Sequence, residues 1–560
     1  MPPVYDAIVV GSGISGGWAA KELTERGLRT LVLEAGRPID PAIDYTMSVQ
    51  PWELRFRGRR DRDKQDREQP VQQRCYACDA WSQQFFVNDV DNPYTTAEGQ
   101  PFDWIRSRQV GGRSIVWGRQ VYRWSDLDFE ANARDGFGTD WPIRYADIAP
   151  WYDYVERYIG ISGNPEGLAQ LPDGQFQPGM PLNVAEQFVR DGLQAHYGRD
   201  RVLTIGRAAI LTLPLRGRAA CSYCGVCERG CSTFSYFNSV HVTLPAAQAT
   251  GRLTLRPFSV VHSVMYDPRT GKASGVRVID ANTNEVLEFR ARIVFLNASA
   301  LESARILLNS TSERWPNGLA NSSGALGKYV MDHWMGCGAN GTVPGFEDKT
   351  TTGDRPNGTY LPRFRNVTTR QNEFLRGYAY QGGGGRDGWG RGSSMPGFGR
   401  ELKEALRTPG PWGFQLYGFG ECLPRETNFV ELDPVVKDKW GIPALRIHCR
   451  FGDNERAAMR DCATQAAEML EAAGLRNVQP FTADNAPGLT IHEMGTARMG
   501  KDRNTSVLNG WNQSWDVPNL FCTDGACMAS TANQNPSITY MALTARAAAH
   551  AVEMMRRREI

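Results

Sequence analysis

Residues 4–36 read VYDAIVVGSGISGGWAAKELTERGLRTLVLEAG, and the order of residue types in this stretch predicts a β-α-β unit. A short apolar strand up to Val10 leads into a glycine-rich turn and a helix-like run from Ser15 to Glu25. A second apolar strand, Leu28 to Leu33, then ends at Glu34. About thirty residues are the usual length of such a unit, in which a helix joins two parallel strands. The stretch therefore predicts an α/β fold with a parallel sheet.

The turn itself has the sequence GSGISG at residues 11–16. Gly11 permits the tight turn, Gly13 lets a pyrophosphate approach the backbone, and Gly16 lets the helix pack against the strand. The N-terminus of the helix offers N–H groups and the positive end of its dipole to an anion. Glu34 follows about twenty residues on, where a carboxylate can accept hydrogen bonds from ribose hydroxyls. A turn used only for packing would not need this context, so we predict a dinucleotide site.

The turn alone does not distinguish FAD from a nicotinamide dinucleotide. Two further glycine-containing segments, QVGGRS at residues 109–114 and CTDG at residues 522–525, favour FAD. Glycine lets a backbone approach a ligand closely, and both segments suit contacts with a second, bulkier nucleotide half.

Length and composition restrict the class of protein further. A chain of 560 residues is too long for one ordinary core and predicts two or more interleaved domains. Its 63 basic and 61 acidic residues nearly balance, so we expect no nucleic-acid partner. No apolar run reaches the length of about 18 residues that a membrane span needs, so we expect no span of the chain's own. Residues 1–10 lack the features of a secretory signal peptide.

Four of the twelve cysteines follow the Cys-x2-Cys-x2-Cys-x3-Cys spacing of bacterial ferredoxins, at Cys221, Cys224, Cys227 and Cys231. Such short spacings allow several thiolates to converge, and they predict an iron–sulfur cluster with three or four irons. Ser232 stands where such runs usually have a proline, and in two-cluster ferredoxins the fourth cysteine ligates the other cluster, which leaves the role of Cys231 open. Zinc is the main alternative, although its thiolate ligands usually come from two separated pairs, and a segment without metal is the third reading. We interpret Cys75 and Cys78 as structural.

Hydrophobic patterning predicts further elements along the chain. We expect strands at residues 252–256, 259–266, 275–279, 286–290 and 292–297, and helices at residues 147–158, 243–249, 299–309, 454–473 and 538–558. The glycine-rich residues 350–400 indicate loops and strand edges.

Six ordered segments together resemble the glucose-methanol-choline (GMC) family of FAD oxidoreductases. They are residues 9–36, 110–118, 140–143, 324–333, 492–500 and 516–542. The resemblance implies a Rossmann-like FAD-binding domain interleaved with an α+β substrate domain built on a large sheet. The FAD-binding domain would comprise residues 1–125, with an irregular insertion at 37–100, then residues 236–335 and 491–560. The substrate domain would comprise residues 126–235, which contain the cysteines, and residues 336–490.

The resemblance also assigns a cofactor site to named positions. The residues expected to contact FAD are Gly11, Gly13, Gly16, Glu34, Gly112, Ser114, Val261, Asp524 and Gly525. Some members link FAD covalently through a histidine that precedes the tryptophan of the second glycine segment. Here Val116 precedes Trp117, so we expect non-covalent FAD.

A catalytic pair follows from the same resemblance. His492 begins the segment HEMGTARMG, and Asn535 lies in QNPS, where many members have a second histidine. A neutral imidazole close to an alcohol can take the hydroxyl proton as hydride leaves, and an amide can both donate to and accept from the alcohol oxygen. An isolated histidine is more often structural, but this context favours His492 as the base and Asn535 as its partner.

The cysteine segment makes the chain most similar to the iron–sulfur-containing bacterial sugar dehydrogenases, such as glucoside 3-dehydrogenase. This likeness implies oxidation of a secondary alcohol of a sugar or glycoside, with C3 of a pyranoside as the expected position. Electrons would pass through the cluster to a cytochrome c or similar acceptor. A small accessory subunit could carry an export signal, so we expect a periplasmic protein exported with its partner, or a cytoplasmic one. The alternatives are an oxidase with a structural metal and a non-catalytic flavoprotein.

Overall fold

The computed structural model of the protein describes residues 4–560. Its strands are, in chain order, β1 (Val4–Val10), β2 (Thr30–Leu33), β3 (Thr95–Thr96), β4 (Ile161–Gly163), β5 (Phe176–Pro178), β6 (Thr204–Ile205), β7 (Leu253–Arg256), β8 (Ser259–Asp267), β9 (Lys272–Asp280), β10 (Val286–Leu296), β11 (Trp334–Val343), β12 (Thr359–Leu361), β13 (Tyr378–Arg386), β14 (Trp412–Gly420), β15 (Phe429–Lys437), β16 (Pro443–His448), β17 (Arg476–Thr482) and β18 (Leu520–Cys522). Its α-helices are α1 (Ile14–Glu25), α2 (Pro41–Asp44), α3 (Arg62–Glu68), α4 (Asp126–Phe129), α5 (Ala131–Asp135), α6 (Tyr145–Ile159), α7 (Val184–Tyr197), α8 (Thr243–Ala249), α9 (Ala300–Leu308), α10 (Gly399–Arg407), α11 (Asp453–Ala472) and α12 (Ser537–Arg556). None of the helices within residues 4–560 combines the length and apolar character needed to cross a membrane.

The first large sheet contains the predicted β-α-β unit. Its strand order is β7-β2-β1-β10-β9-β8, and β18 also pairs with β10. Strand β1 runs parallel to β2 and to β10. The two strands predicted at residues 286–290 and 292–297 are one continuous strand, β10. Its first half pairs with β9 in an antiparallel ladder, and its end lies between β1 and β18, so one strand has two different environments.

Helices α1 and α12 cover one face of the parallel part of this sheet. Ala7 and Val9 of β1 pack with Ala19 and Leu23 of α1 in one apolar cluster, to which α12 contributes Ala548. A strand buried on both faces needs an almost continuous apolar run, and residues 7–10 of β1 are such a run. This burial explains why the N-terminal pattern could be recognised from sequence.

The second large sheet is antiparallel, in the order β17-β11-β14-β13-β12-β6. Strand β13 lies inside it although its residues 382–385 are all glycine, a stretch that was predicted to form loops and strand edges. A Cβ atom on Gly382 would lie 2.0 Å from the backbone oxygen of Gln415 on β14, so the strands approach too closely there for a side chain. The expectation for this part of residues 350–400 was therefore wrong, because glycine here serves close strand packing.

The fold brings several chain segments to one edge of the first sheet. Gly11 directly follows β1, Glu34 follows β2, Asn297 follows β10 and Thr523 follows β18. These strands are mutually parallel, so their carboxyl ends meet at the same edge, where open α/β sheets bind ligands.

Candidate active site

A cavity of about 390 Å³ lies at this edge of the first sheet. It reaches the second sheet at Gln381 of β13 and Phe419 of β14. Its walls include all but one of the residues predicted to bind FAD or to act in catalysis, namely Gly11, Gly13, Glu34, Gly112, Ser114, Val261, Asp524, Gly525, His492 and Asn535. The structure therefore gathers residues from both ends of the chain around one space.

The glycines of the first turn have different surroundings. A Cβ on Gly16 would lie 2.0 Å from the backbone oxygen of Gly11, and Gly16 is not part of the cavity wall. Gly13 has no atom within 4 Å of such a Cβ, so the space in front of it is free for a ligand. Gly13 is also the N-cap of α1 and provides no side-chain cap, while Ile14 and Ser15 line the cavity. Uncapped N–H groups at a helix N-terminus are suited to phosphate oxygens.

Glu34 lies buried at the wall of the cavity. One carboxylate oxygen accepts hydrogen bonds from the backbone N–H of Ser12 at 3.1 Å and its hydroxyl at 2.6 Å. The other accepts from the backbone N–H of Gly36 at 3.0 Å. Burial raises the pKa of Glu34, and the hydrogen bonds from Ser12 and Gly36 oppose this shift. Each oxygen retains lone-pair capacity, which matches the ribose-binding role predicted for this position.

Seven buried polar atoms of residues that line the cavity have no hydrogen-bond partner within the protein. They are Nε of Arg106, the hydroxyl of Ser107, Nη1 of Arg108, Nε and Nη1 of Arg119, Oδ1 of Asn297 and the hydroxyl of Tyr540. Buried polar atoms are nearly always hydrogen-bonded in folded proteins, so this group of atoms indicates a polar ligand. Together with the helix N-terminus and Glu34, the residues present fit a dinucleotide such as FAD.

The predicted catalytic pair is in direct contact. Nδ2 of Asn535 lies 3.2 Å from Nε2 of His492, and both side chains are partly exposed to the cavity. Nε2 of Gln381 donates to Oδ1 of Asn535 at 2.6 Å. This second contact leaves the amide nitrogen of Asn535 facing the imidazole. Gln381 could not be predicted from the sequence, because it lies in the glycine-rich stretch of β13.

The backbone around His492 is held in an unfavourable conformation. Ile491 has a φ of 66°, in the left-handed region that a β-branched residue rarely adopts. Buried Asp332 accepts the backbone N–H of His492 at 3.0 Å and that of Gly488 at 2.7 Å. Burial, with the nearby charge of Glu493, raises the pKa of Asp332 to about 7. Strain of this kind is usual where surrounding contacts fix a functional side chain.

His333 is the second residue at this site that was not among the residues predicted from the sequence. Its Nδ1 lies 2.9 Å from Nδ1 of His492. Its Nε2 lies 3.1 Å from the backbone oxygen of Thr531 and 3.0 Å from that of Ala532. The position of His333 in the family-like segment 324–333 was the one feature of the sequence that could have drawn attention to it.

The protonation state of His492 suits a base. Burial lowers its pKa well below the ordinary value, and His333 and Arg113 lower it further. The imidazole is therefore neutral at neutral pH and has a lone pair with which to accept a proton.

In the structure the four cysteines of the ferredoxin-like segment are not gathered around one point. Within residues 4–560, no three His, Cys, Asp or Glu side chains are arranged to hold a metal ion. Cys224 is exposed, and Cys231 is buried with its sulfur 3.3 Å from the hydroxyls of both Thr233 and Ser235. Their thiols therefore have different environments instead of one shared centre.

The cysteine segment nevertheless lies beside the cavity. Arg119 lines the cavity and its Nη2 donates to Glu228, between the third and fourth cysteines, at 3.1 Å. Burial raises the pKa of Cys227 to about 11, and Arg119 opposes the shift. Cys75 and Cys78 pack in a separate apolar cluster, and burial raises their pKa values to about 11 and about 12. Such thiols stay protonated, as the structural role predicted for them requires.

Residues 5–335 and 424–544 match the GMC oxidoreductase family, and the chain belongs to this family. It is thus a FAD-binding oxidoreductase of the GMC fold that acts on CH–OH donors.

Two curated relatives match the chain over nearly its whole length. 2-Methyl-1,2-propanediol dehydrogenase of Mycolicibacterium austroafricanum is 30% identical, over 97% of this chain and 94% of that protein. The fructose dehydrogenase large subunit of Gluconobacter japonicus is 25% identical, over 97% of each. Among solved structures, pyridoxine 4-oxidase from Mesorbium loti shares the fold with a TM-score of 0.62. It is 16% identical, over 97% of this chain and 98% of that one.

Proposed function

We propose that the protein is a FAD-dependent dehydrogenase that oxidises a secondary alcohol group of a sugar or glycoside. The observation that supports this best is the contact of His492 with Asn535 in the wall of the cavity that also contains the cofactor residues. FAD, when bound, supplies the acceptor for a hydride from the carbon that bears the hydroxyl group.

The protein's own residues supply the acid–base chemistry of the proposed reaction. His492 takes the hydroxyl proton on Nε2, the ring nitrogen next to Asn535. Asn535 donates an N–H to the substrate oxygen as negative charge develops on it. Gln381 keeps the amide of Asn535 in the orientation that makes this possible. A partner fixed in advance is more effective than one that must reorient during the reaction.

A sugar or a glycoside fits the remaining walls of the cavity. Trp117 and Phe419 are partly exposed there and can stack on the apolar face of a sugar ring. Gln120 and Gln381 offer amides to several hydroxyl groups. The names of both curated relatives describe dehydrogenation of a polyhydroxy compound. The position oxidised, C3 of a pyranoside, follows from the likeness to glucoside 3-dehydrogenase, and product NMR tests it directly.

An anaerobic titration tests the proposal. The purified protein with bound FAD is mixed with glucose, glucosides and disaccharides, and bleaching of the flavin absorbance is followed by rapid mixing. We expect at least one sugar to reduce the flavin in the wild type, and His492→Ala to keep FAD but lose at least a hundredfold in the reduction rate. His448→Ala is a matched control, because His448 stacks on Phe429 outside the cavity. Wild-type reduction in His492→Ala would rule out this base.

The route by which electrons leave the protein is a separate proposal. The donor set of the four cysteines suits an iron–sulfur cluster, and the contact of Arg119 with Glu228 places their segment beside the flavin cavity. A bound cluster would make the protein a dehydrogenase with a cytochrome c or similar acceptor. A small accessory subunit is proposed as well, since one curated relative is named as a large subunit. Co-export with that subunit would give a periplasmic location.

Chemical analysis of the purified protein distinguishes this route from direct use of oxygen. Iron and acid-labile sulfide in fixed ratio to FAD, with an EPR signal that changes on substrate addition, would support the cluster. The absence of iron, together with one hydrogen peroxide formed per substrate in air, would support an oxidase. The thiol environments described above favour neither outcome by themselves, because a cluster can draw flexible ligands together as it binds.

A further inference from the structure

We propose that His333 is a positioning residue that fixes the tautomer of His492 and so directs the basic nitrogen of His492 towards the substrate. The inference rests on the proposed function, in which His492 is the base.

The two carbonyl groups beside His333 determine where its proton lies. Nε2 of His333 is within 3.1 Å of the backbone oxygens of Thr531 and Ala532, and carbonyl oxygens only accept hydrogen bonds. Nε2 therefore carries a hydrogen. His333 is 1% exposed, and burial lowers its pKa to about 4, so the ring is neutral at working pH. Nδ1 of a neutral ring protonated on Nε2 has only a lone pair.

This lone pair determines the tautomer of His492. The two Nδ1 atoms are 2.9 Å apart, a distance that requires one hydrogen between them. Since His333 cannot supply it, Nδ1 of His492 carries the hydrogen and donates. Nε2 of His492 is then the unprotonated nitrogen, and it faces Asn535 in the cavity. In the other tautomer, two lone pairs would oppose each other in a buried site.

The same contact assists the reaction itself. When His492 accepts a proton on Nε2, it becomes an imidazolium that still donates from Nδ1 to His333, and such charge-assisted bonds are stronger. The other charged groups around His492 are Asp332, which accepts its backbone N–H, and the ion pair of Arg113 with Glu493 at 2.8 Å. Neither group contacts a ring nitrogen by a hydrogen bond, so His333 is the partner of Nδ1 and Asn535 the partner of Nε2.

Two substitutions separate this role from a structural one. In His333→Asn the amide oxygen can replace Nδ1 as an acceptor, whereas in His333→Gln the longer amide can replace Nε2 as a donor to the carbonyls. We expect His333→Asn to reduce its flavin within about tenfold of the wild-type rate. We expect His333→Gln to lose at least a hundredfold, comparable in kind to the loss of about 10⁴ that a wrong histidine tautomer causes in a serine protease.

The pH profile of flavin reduction gives a readout that a structural role would not change. In His333→Gln the imidazolium of His492 loses its acceptor, so the acid limb of the profile should move to lower pH, while in His333→Asn it should stay in place. FAD content and thermal midpoint are measured for each variant. The opposite order of rates, or equal rates in the two variants, would overturn the inference.

A measurement on the wild type avoids any folding defect of the variants. Imidazole ¹⁵N shifts of histidine-labelled protein, with His492→Ala to assign the resonances, report which nitrogen of His492 carries hydrogen at neutral pH. Hydrogen on Nε2 would overturn the inference. If His492→Ala reduces flavin at the wild-type rate, the proposed function fails. If His492→Ala is inactive while His333→Gln is fully active, the role of His333 alone fails.

Discussion

Two adjacent buried side chains that contact His492 respond to burial in opposite directions. Burial raises the pKa of Asp332 to about 7 and lowers that of His333 to about 4. In each case a low-dielectric environment disfavours the charged form. The pair supports His492 through hydrogen bonds to its backbone and its ring, and it does so with little net charge.

Stability should depend on pH through His333. Its pKa in the folded protein, about 4, lies below the value of about 6.5 for an unfolded chain, so the unfolded state binds more protons between these values. The contribution of His333 to the free energy of unfolding is fully present above about pH 6.5. It is lost as pH falls towards 4, by about 1.4 kcal/mol per pH unit. Urea unfolding of wild type and His333→Asn across this range, with excess FAD, measures the difference.

The difference in unfolding free energy between wild type and His333→Asn isolates the contribution of His333 from that of Asp332. Asp332 has the opposite dependence, because its raised pKa makes it lose stability as pH rises from about 4 to about 7. Both proteins contain Asp332, so its contribution cancels in the difference. A difference in unfolding free energy that is the same at pH 4 and pH 7 would show that His333 is not buried as a neutral ring.

Glu34 should contribute to FAD affinity through charge. In Glu34→Gln, an amide NH₂ would face either the donors on Ser12 or the N–H of Gly36, and the ribose would lose a charged acceptor. Hydrogen bonds to charged groups contribute about 1.5–3 kcal/mol, so we expect the dissociation constant for FAD to rise about ten- to hundredfold. Fluorescence titration of the apoprotein with FAD measures it. Glu288→Gln, on the exposed part of β10, serves as the control, and equal affinities in the two variants would contradict the assignment.

The residues of the site could be predicted where they lie in recognisable segments, and not elsewhere. His492 and Asn535 were identified in advance, and the structure brings them together. Gln381 and His333 were missed because their roles depend on contacts with residues about 150 positions away in sequence. No local pattern of residue types reports such a contact.

At the level of elements, two glycines of the turn between β1 and α1 have different roles. Gly13 serves FAD binding, and Gly16 serves folding. Gly13→Ala introduces a methyl group into open space at a φ of −66°, which alanine accepts easily. We expect the apoprotein to keep its thermal midpoint within about 0.5 °C, which for a chain of this size corresponds to about half a kcal/mol. FAD affinity should fall at least tenfold, because the methyl group occupies the position of the pyrophosphate.

Gly16→Ala is the matched control for this prediction. Its methyl group would meet the backbone oxygen of Gly11 at 2.0 Å, so the helix cannot keep its position against the turn. We expect this variant to lose stability by about 1–3 kcal/mol or more, as overpacking does, even without FAD. Calorimetry of both apoproteins provides the test, and a destabilised Gly13→Ala apoprotein would contradict the separation of roles.

Elements with a repeating burial pattern were the most predictable. Helices α11 and α12 begin and end within two residues of the predicted bounds, since each has one apolar face against the core. Strand β13 was not predicted, because its four glycines carry no hydrophobic pattern, and the close approach of β14 at Gly382 cannot be inferred from them. Membership of a sheet can depend on the partner strand as much as on the strand's own residues.

For the whole molecule, the cavity joins parts of the chain that are far apart in sequence. Its wall extends from Val10 to Tyr540 and includes both large sheets. A ligand that contacts all of these parts binds the folded chain and not the unfolded one. Binding of this kind stabilises the folded state by mass action, in proportion to the logarithm of ligand concentration.

Removal of FAD should therefore lower the thermal midpoint of the protein. At a free FAD concentration of about 100 times the dissociation constant, the stabilisation is about 2.7 kcal/mol, which corresponds to several degrees or less for a chain of this size. Differential scanning fluorimetry of the apoprotein over a series of FAD concentrations measures the shift. Gly13→Ala should begin at the same midpoint and need at least tenfold more FAD for an equal rise. A midpoint independent of FAD in the wild type would mean that the cavity between the two sheets is not where the cofactor binds.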